Sequence, residues 1–277
     1  MVNVALVRGP RVLGTVLEAI KLGGGLNGSP ERLERALIKV NFISTKTYDT
    51  GVTTDPLVVE ALIHEALEVF NQVFVVESDA SMTNADKACE TTGMKEICDK
   101  NGVKFLNLRR EKDRIKLPIP NSETLKVISV PRIVVDSVII NAAKLKTHSV
   151  TGVSLGLKNM FGLLPTKMKF KYHARNISKV VVDINTVLSP RFTVIDGFYA
   201  LEGAGPIFGS PVKMNLVIAS KDIVAADATA CRVMGIDPAK IYHINRAYEK
   251  GFGELNESKI DVVGSKLEEV RRQFRRG

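Results

Sequence analysis

Between Ser137 and Val182 the chain carries no aspartate or glutamate, yet it holds Lys144, Lys146, Lys158, Lys167, Lys169, Lys171, Arg175 and Lys179, together with His148 and His173. Solvated helix faces interleave both signs of charge, so this one-sided stretch marks a place that receives negative charge. The plainer alternative is that distant carboxylates fold over it. Lys146, His148 and Lys158 are suited to binding or polarising an anion, and a lysine crowded by other cations can also act as base or nucleophile. Lys144, Thr147, Gly152 and Asn159 lie beside them in sequence and are candidate ligand contacts. His148 and His173 form a candidate pair of metal ligands, each with a structural hydrogen bond as its bland reading. Asp196 and Glu202 are the candidate proton-exchanging groups, Asp196 being equally well explained as a turn cap. Thr53 and Thr54, just before Asp55-Pro56, offer hydroxyls and first-turn N–H groups as a second anion cradle, although capping accounts for Asp55 by itself.

The elements that must position these residues alternate short β-branched runs with helical patterns, which predicts an α/β fold. Its sheet is mostly parallel or mixed, flanked by helices and elaborated loops. Strands are expected at 2–7, 37–43, 73–76, 103–108, 125–130, 134–141, 192–195, 214–219 and 259–263. Helices are expected at 11–22, from Pro56 onward behind the Asp55 cap, in two short pieces between Asn84 and Asn101, and at 149–164, 176–188, 222–234, 238–250 and 266–276. Residues 109–120 read as an exposed loop. A strand ending at Asn141 places Lys144, Lys146, Thr147 and His148 in the loop at its carboxyl end, where open α/β sheets bind ligands. Ser149 or Thr151 would then cap the next helix, with its free N–H groups facing an anion. Asp196 likewise closes a strand, and Glu202 follows in a glycine-rich loop. The whole of 1–277 is expected as one α/β domain, with a split near residue 120 as the alternative.

Two phosphate-binding motifs fail. Gly152 to Lys158 lacks the Gly-Lys-Ser/Thr ending of a P-loop, and Gly203 to Gly209 is interrupted by Pro206 where a dinucleotide fingerprint needs a helix.

Other pieces belong together. Lys144-Leu-Lys146-Thr147-His148 with Gly152, Lys158-Asn159-Met-Phe161-Gly162, Asp196-Gly197 with Glu202-Gly203 and Gly205-Pro206, and Asp222 with Ala225-Ala226-Asp227 resemble the pattern of the domain of unknown function 362 family. Lys39-Val-Asn41 and Thr53-Thr54-Asp55-Pro56 are similar to that family's opening motif, with Val40 where the family pattern has proline. The resemblance spans residues 35–253 and is specific through the joint occurrence of its parts. It implies no assigned chemistry, but it does imply association with ferredoxin-like iron–sulfur proteins. Cys89, Cys98 and Cys231 are too few for a self-contained cluster, so electron transfer would need an iron–sulfur partner or a cofactor bound by other residues.

Composition bounds the rest. Lys and Arg outnumber Asp and Glu by 39 to 30, a net charge of +9 that favours anionic partners. No apolar run approaches the length of a membrane span, and the first residues lack a secretory pattern, so the expected location is the cytoplasm. The expectation is an enzyme-like protein that binds an anionic small molecule or cofactor, with metal assistance as one version and the cofactor itself unidentified. A redox accessory protein docking an iron–sulfur partner is one alternative. A nonspecific nucleic-acid module is another, favoured by Arg271, Arg272, Arg275 and Arg276 and opposed by the lack of tryptophan and of any diagnostic motif.

Overall fold

The computed structural model describes residues 1–26, 33–166, 169–173 and 175–277, without the side chains of residues 170 and 173. In chain order the strands are β1 (Val2–Arg8), β2 (Leu33–Lys39), β3 (Phe70–Glu77), β4 (Lys104–Asn107), β5 (Arg114–Pro118), β6 (Val127–Pro131), β7 (Val138–His148), β8 (Gly152–Ser154), β9 (Phe192–Glu202), β10 (Ser210–Ser220) and β11 (Ile260–Gly264). Nine of them form one sheet in the order β11-β1-β10-β9-β7-β2-β3-β4, with β8 attached to β7, while β5 and β6 pair separately. Pairing is parallel throughout except where β10 meets β1 and β9 and where β8 meets β7. The result is a mixed α/β architecture with a mostly parallel sheet.

Both faces of the sheet are covered, which explains the near-continuous apolar character of its strands. In β1, Ala5 and Val7 join one core and Val4 and Leu6 the other. Helices Leu13–Leu22 and Pro56–Val69 supply the first core, and Ile177–Val187, Ile223–Val233 and Tyr242–Glu249 the second. Local chemistry starts these helices. The Asp55 carboxylate accepts from Leu57 N at 2.9 Å with Pro56 at the first position, and Asp222 accepts from Ala225 N at 2.9 Å.

From β2 the chain runs outward through β3 to β4, then returns to place β7 and β9 on the other side of β2. Strand order therefore reverses between β2 and β7, and the crevice beyond their carboxyl ends is where such sheets take ligands. Register sets Lys39 of β2 opposite Asn141 of β7.

Several expectations need correction. Strand β7 does not end at Asn141 but continues to His148, so Lys144, Lys146, Thr147 and His148 lie within a strand rather than in a loop after it. Polar residues broke the apolar pattern, yet the fold pairs them internally. The helix expected over 149–164 is replaced by a turn at Gly152 with φ of 78°, strand β8, the single turn Gly156–Asn159 and a 3-10 turn Met160–Leu163. Ser149 and Thr151 thus cap no helix. Residues 109–120 contain β5, whose alternation Arg114-Ile-Lys-Leu matches its antiparallel pairing with β6. Asp196 and Glu202 belong to β9, which runs past residue 195. The basic C-terminus is helical only at Leu267–Val270, and beyond it the Arg275 carbonyl accepts from Gly203 N at 2.9 Å. Among the described residues no helix is long and apolar enough to cross a membrane.

Candidate functional site

A cavity of about 310 Å³ opens at the carboxyl ends of β2, β3 and β7. Its charged walls are Lys39, Glu77, Lys146, Lys158 and Lys169, with His148, Asn41 and Asn159 beside them and Phe42, Ile43, Phe161 and Ile207 as apolar surface. Among the described residues, four lysines therefore face one carboxylate.

That carboxylate is already engaged. Lys39 is fully buried, and its Nζ donates to Glu77 Oε2 at 2.8 Å, Val40 O at 2.6 Å and Asn159 Oδ1 at 3.3 Å, an acceptor for each of its three protons. Burial lowers the Lys39 pKa and Glu77 opposes that shift. A Cβ at Gly162 would overlap Lys39 Nζ and Glu77 Oε1, so the chain needs glycine there to pass the ion pair.

Among the described residues the other three lysines form no ion pair with a carboxylate. Lys146, also fully buried, donates to two neutral acceptors, Asn41 Oδ1 at 2.7 Å and Val52 O at 2.8 Å. Burial, then the charges of Lys158 and Lys144, push it well below the ordinary lysine range. Lys169 donates to Ser78 Oγ at 2.9 Å, and its ammonium lies 5.7 Å from the Phe161 ring centre. Burial brings it down to about 8. Lys158 is half-buried and has no hydrogen-bond or ion-pair partner among the described residues. Burial, followed by the charges of Lys169 and Lys39, lowers it to about 8.

Asparagines and one remote aspartate hold this wall in place. Asn159 Nδ2 donates to Asn141 Oδ1 at 2.7 Å and to Lys39 O at 3.1 Å, while its Oδ1 accepts from Asn41 Nδ2 at 2.9 Å. Asn141 Nδ2 in turn donates to Gly156 O at 3.0 Å. Asp227, on the helix Ile223–Val233, accepts from Gly156 N at 2.7 Å and Leu157 N at 2.9 Å, capping the turn that carries Lys158. Burial raises the Asp227 carboxyl to about 7 against those two hydrogen bonds.

Of the residues singled out from sequence, Lys146, His148, Lys158 and Asn159 meet at the cavity. His148 Nδ1 accepts from Val150 N at 3.1 Å and Thr151 N at 3.2 Å, which places the proton of the neutral ring on Nε2. The His173 side chain and Lys167 lie outside the described residues. Among the described residues no three His, Cys, Asp or Glu side chains are grouped to hold a metal ion.

The remaining candidates are used elsewhere. Lys144 forms a buried ion pair with Asp196 at 2.7 Å, and Asp196 Oδ2 also accepts from Asp55 N at 2.8 Å. Burial raises the Asp196 carboxyl, opposed by the Lys144 charge. Glu202 is tied to Arg275 Nε at 2.9 Å and Arg272 Nη2 at 3.6 Å. Burial acts to raise its pKa, but the Arg275 hydrogen bonds outweigh this and hold the carboxyl below its usual range. Thr53 and Thr54 donate to the carbonyls of Lys46 and Ala142, and Thr147 to that of Gly203, so these hydroxyls fasten backbone. Gly152 makes the turn between β7 and β8. None of these seven residues lines the cavity. All three cysteines are buried and also lie away from it, with burial pushing the thiols of Cys89 and Cys98 up to about 12.

Lys39, Asn41, Glu77 and Lys169 were not among the sequence candidates. Lys169 had a signal, its place in the uncompensated basic stretch, and Lys39 and Asn41 stood in the opening motif. A further neighbour is His243, whose role the sequence leaves undecided; it is fully buried on the helix Tyr242–Glu249, with neither ring nitrogen partnered among the described residues. Burial and then the Lys158 charge bring it down to about 3, so the ring is neutral.

Compared with known proteins, residues 36–232 match the family described as Domain of unknown function (DUF362). The chain belongs to this family. Every charged wall of the cavity, and Asp227 behind it, falls inside the DUF362 region, while His243 and the C-terminal arginines fall beyond it. The chain is also similar to a thylakoid-associated protein, sll1697, of Synechocystis sp., at 27% identity over 236 residues that cover 83% of this chain and 71% of that protein. No solved structure matches the chain.

Proposed function

We propose that this DUF362 protein binds an anionic small molecule or anionic cofactor in the cavity at the β2–β7 switch point, with Lys146, Lys158 and Lys169 receiving its negative charge. The observation that carries the reading is Lys158, an ammonium on the cavity wall that, among the described residues, has no partner and stands beside two further lysines without a carboxylate ion pair. Withdrawing a lone charge from water costs several kcal/mol, and a bound anion is what offsets it. With pKa values of about 8, Lys158 and Lys169 are mostly protonated at neutral pH and present charge to the ligand. Phe42, Phe161 and Ile207 limit water around that charge and strengthen the attraction. His148 lies on the same wall, its Nδ1 held by the amides of Val150 and Thr151.

The test is titration calorimetry with inorganic phosphate, oxalate and glyoxylate at pH 7, alongside thermal melts. Saturable binding to the native chain that is lost in Lys158→Met and Lys146→Met is the expected result. Heat and melting temperature indifferent to all three anions would end the reading.

A further inference from the structure

The cavity's lysines are not equivalent. Lys39 gives three hydrogen bonds, Lys146 two and Lys169 one, whereas Lys158 gives none among the described residues. A nitrogen that is to attack carbon must offer its lone pair and be free to move toward the ligand, and hydrogen bonds donated by an ammonium oppose both. Among the described cavity lysines Lys158 alone meets both conditions, since it lines the wall and no hydrogen bond to a described residue restrains its Nζ. Its backbone is nevertheless fixed, because Asp227 caps the turn that carries it.

Building on the anion reading above, we infer that Lys158 is an amine nucleophile and that the ligand class is a small anion bearing an aldehyde or ketone, held reversibly as an imine. The Lys158 Nζ lone pair forms a bond to the carbonyl carbon while the π pair of the C=O bond moves onto oxygen and takes up a proton. Loss of that oxygen as water leaves a C=N bond, so one amine and one carbonyl give one imine and one water with no change of oxidation state. Lys146 and Lys169 take the ligand's anionic group, while burial, then the charges of Lys169 and Lys39, disfavour protonation of Lys158. The attached ligand remains bounded by Phe161 and Ile207, which suits a compact molecule for a space of about 310 Å³.

Glyoxylate with sodium cyanoborohydride at pH 7.5 tests this on the full chain, since reduction converts the imine into a stable adduct that peptide mass mapping locates. Lys158 should be labelled at least tenfold faster than the exposed Lys95, and excess inorganic phosphate should protect it. Lys158→Arg, which keeps a positive charge without a condensable amine, should lose the rapid adduct while melting as a folded protein. Labelling of Lys158 at the rate of Lys95, or rapid labelling of Lys146 instead, overturns the inference. Phosphate binding by calorimetry without Lys158 labelling overturns the imine and leaves the anion reading standing; loss of both overturns both.

Discussion

Asp227 accepts the amide N–H groups of both Gly156 and Leu157, so a carboxylate from the helix Ile223–Val233 anchors the turn that presents Lys158 to the cavity. Burial, opposed by these two hydrogen bonds, sets its carboxyl near 7, above the value of an unfolded aspartate. Between about pH 4 and pH 7 the native state therefore binds more protons than the unfolded state, and this group's contribution to stability falls as pH rises through that window. Asp227→Ala should flatten that slope in urea titrations. It should also cost about 2 kcal/mol at low pH by leaving two buried donors unsatisfied, and weaken phosphate binding by displacing Lys158.

Lys158 and Lys169 give a pH signature with two opposite signs. Their native pKa values of about 8 lie below that of an unfolded lysine, so between about pH 8 and pH 10 the unfolded chain binds more protons and the ligand-free protein gains stability with rising pH. Over the same range the cavity loses positive charge, so phosphate affinity should fall. Melting temperature and calorimetry across pH 7–10 check both signs, and parallel movement of the two would contradict the assignment.

The Lys39–Glu77 pair is buried on both sides, and removing one partner strands the other. Glu77→Gln should destabilise the protein by about 3–5 kcal/mol in denaturant melts. Gly162→Ala should act on the same pair by driving a methyl group into Lys39 Nζ and Glu77 Oε1. Replacing both charges together, as Lys39→Met with Glu77→Gln, removes the stranded ammonium while the amide oxygen can still accept a backbone N–H of Phe42 or Ser78, and should recover part of the Glu77→Gln loss.

Lys144 and Asp196 form a second buried pair away from the cavity. Asp196→Asn should therefore lower stability strongly, by about 3 kcal/mol or more, yet leave phosphate affinity within twofold when measured where the variant is folded. A tenfold loss of affinity would place Asp196 in the site after all.

The α/β class and the position of the basic stretch were legible because both depend on neighbours in the chain. The alternating Val4, Ala5, Leu6 and Val7, the Asp55-Pro56 start and the acid-free run from Ser137 to Val182 each act over a few residues or add up along a segment. Partnership is different in kind. Lys144 and Lys146 stand two apart on one strand and look alike, but the pairing of β7 with β9 shifts between them; Lys144 meets Asp196, and Lys146 reaches Asn41 and the cavity. Lys39 finds Glu77 only because β2 and β3 lie side by side, and Lys158 acquires its place from Asp227 on a distant helix. Local propensity acts within a turn or a strand, whereas a buried charge is matched or left unmatched by residues that sheet register and helix packing bring together across the chain. Strand order and register, acting at that range, decided which lysines converge at the switch point and which one stands without a partner there among the described residues.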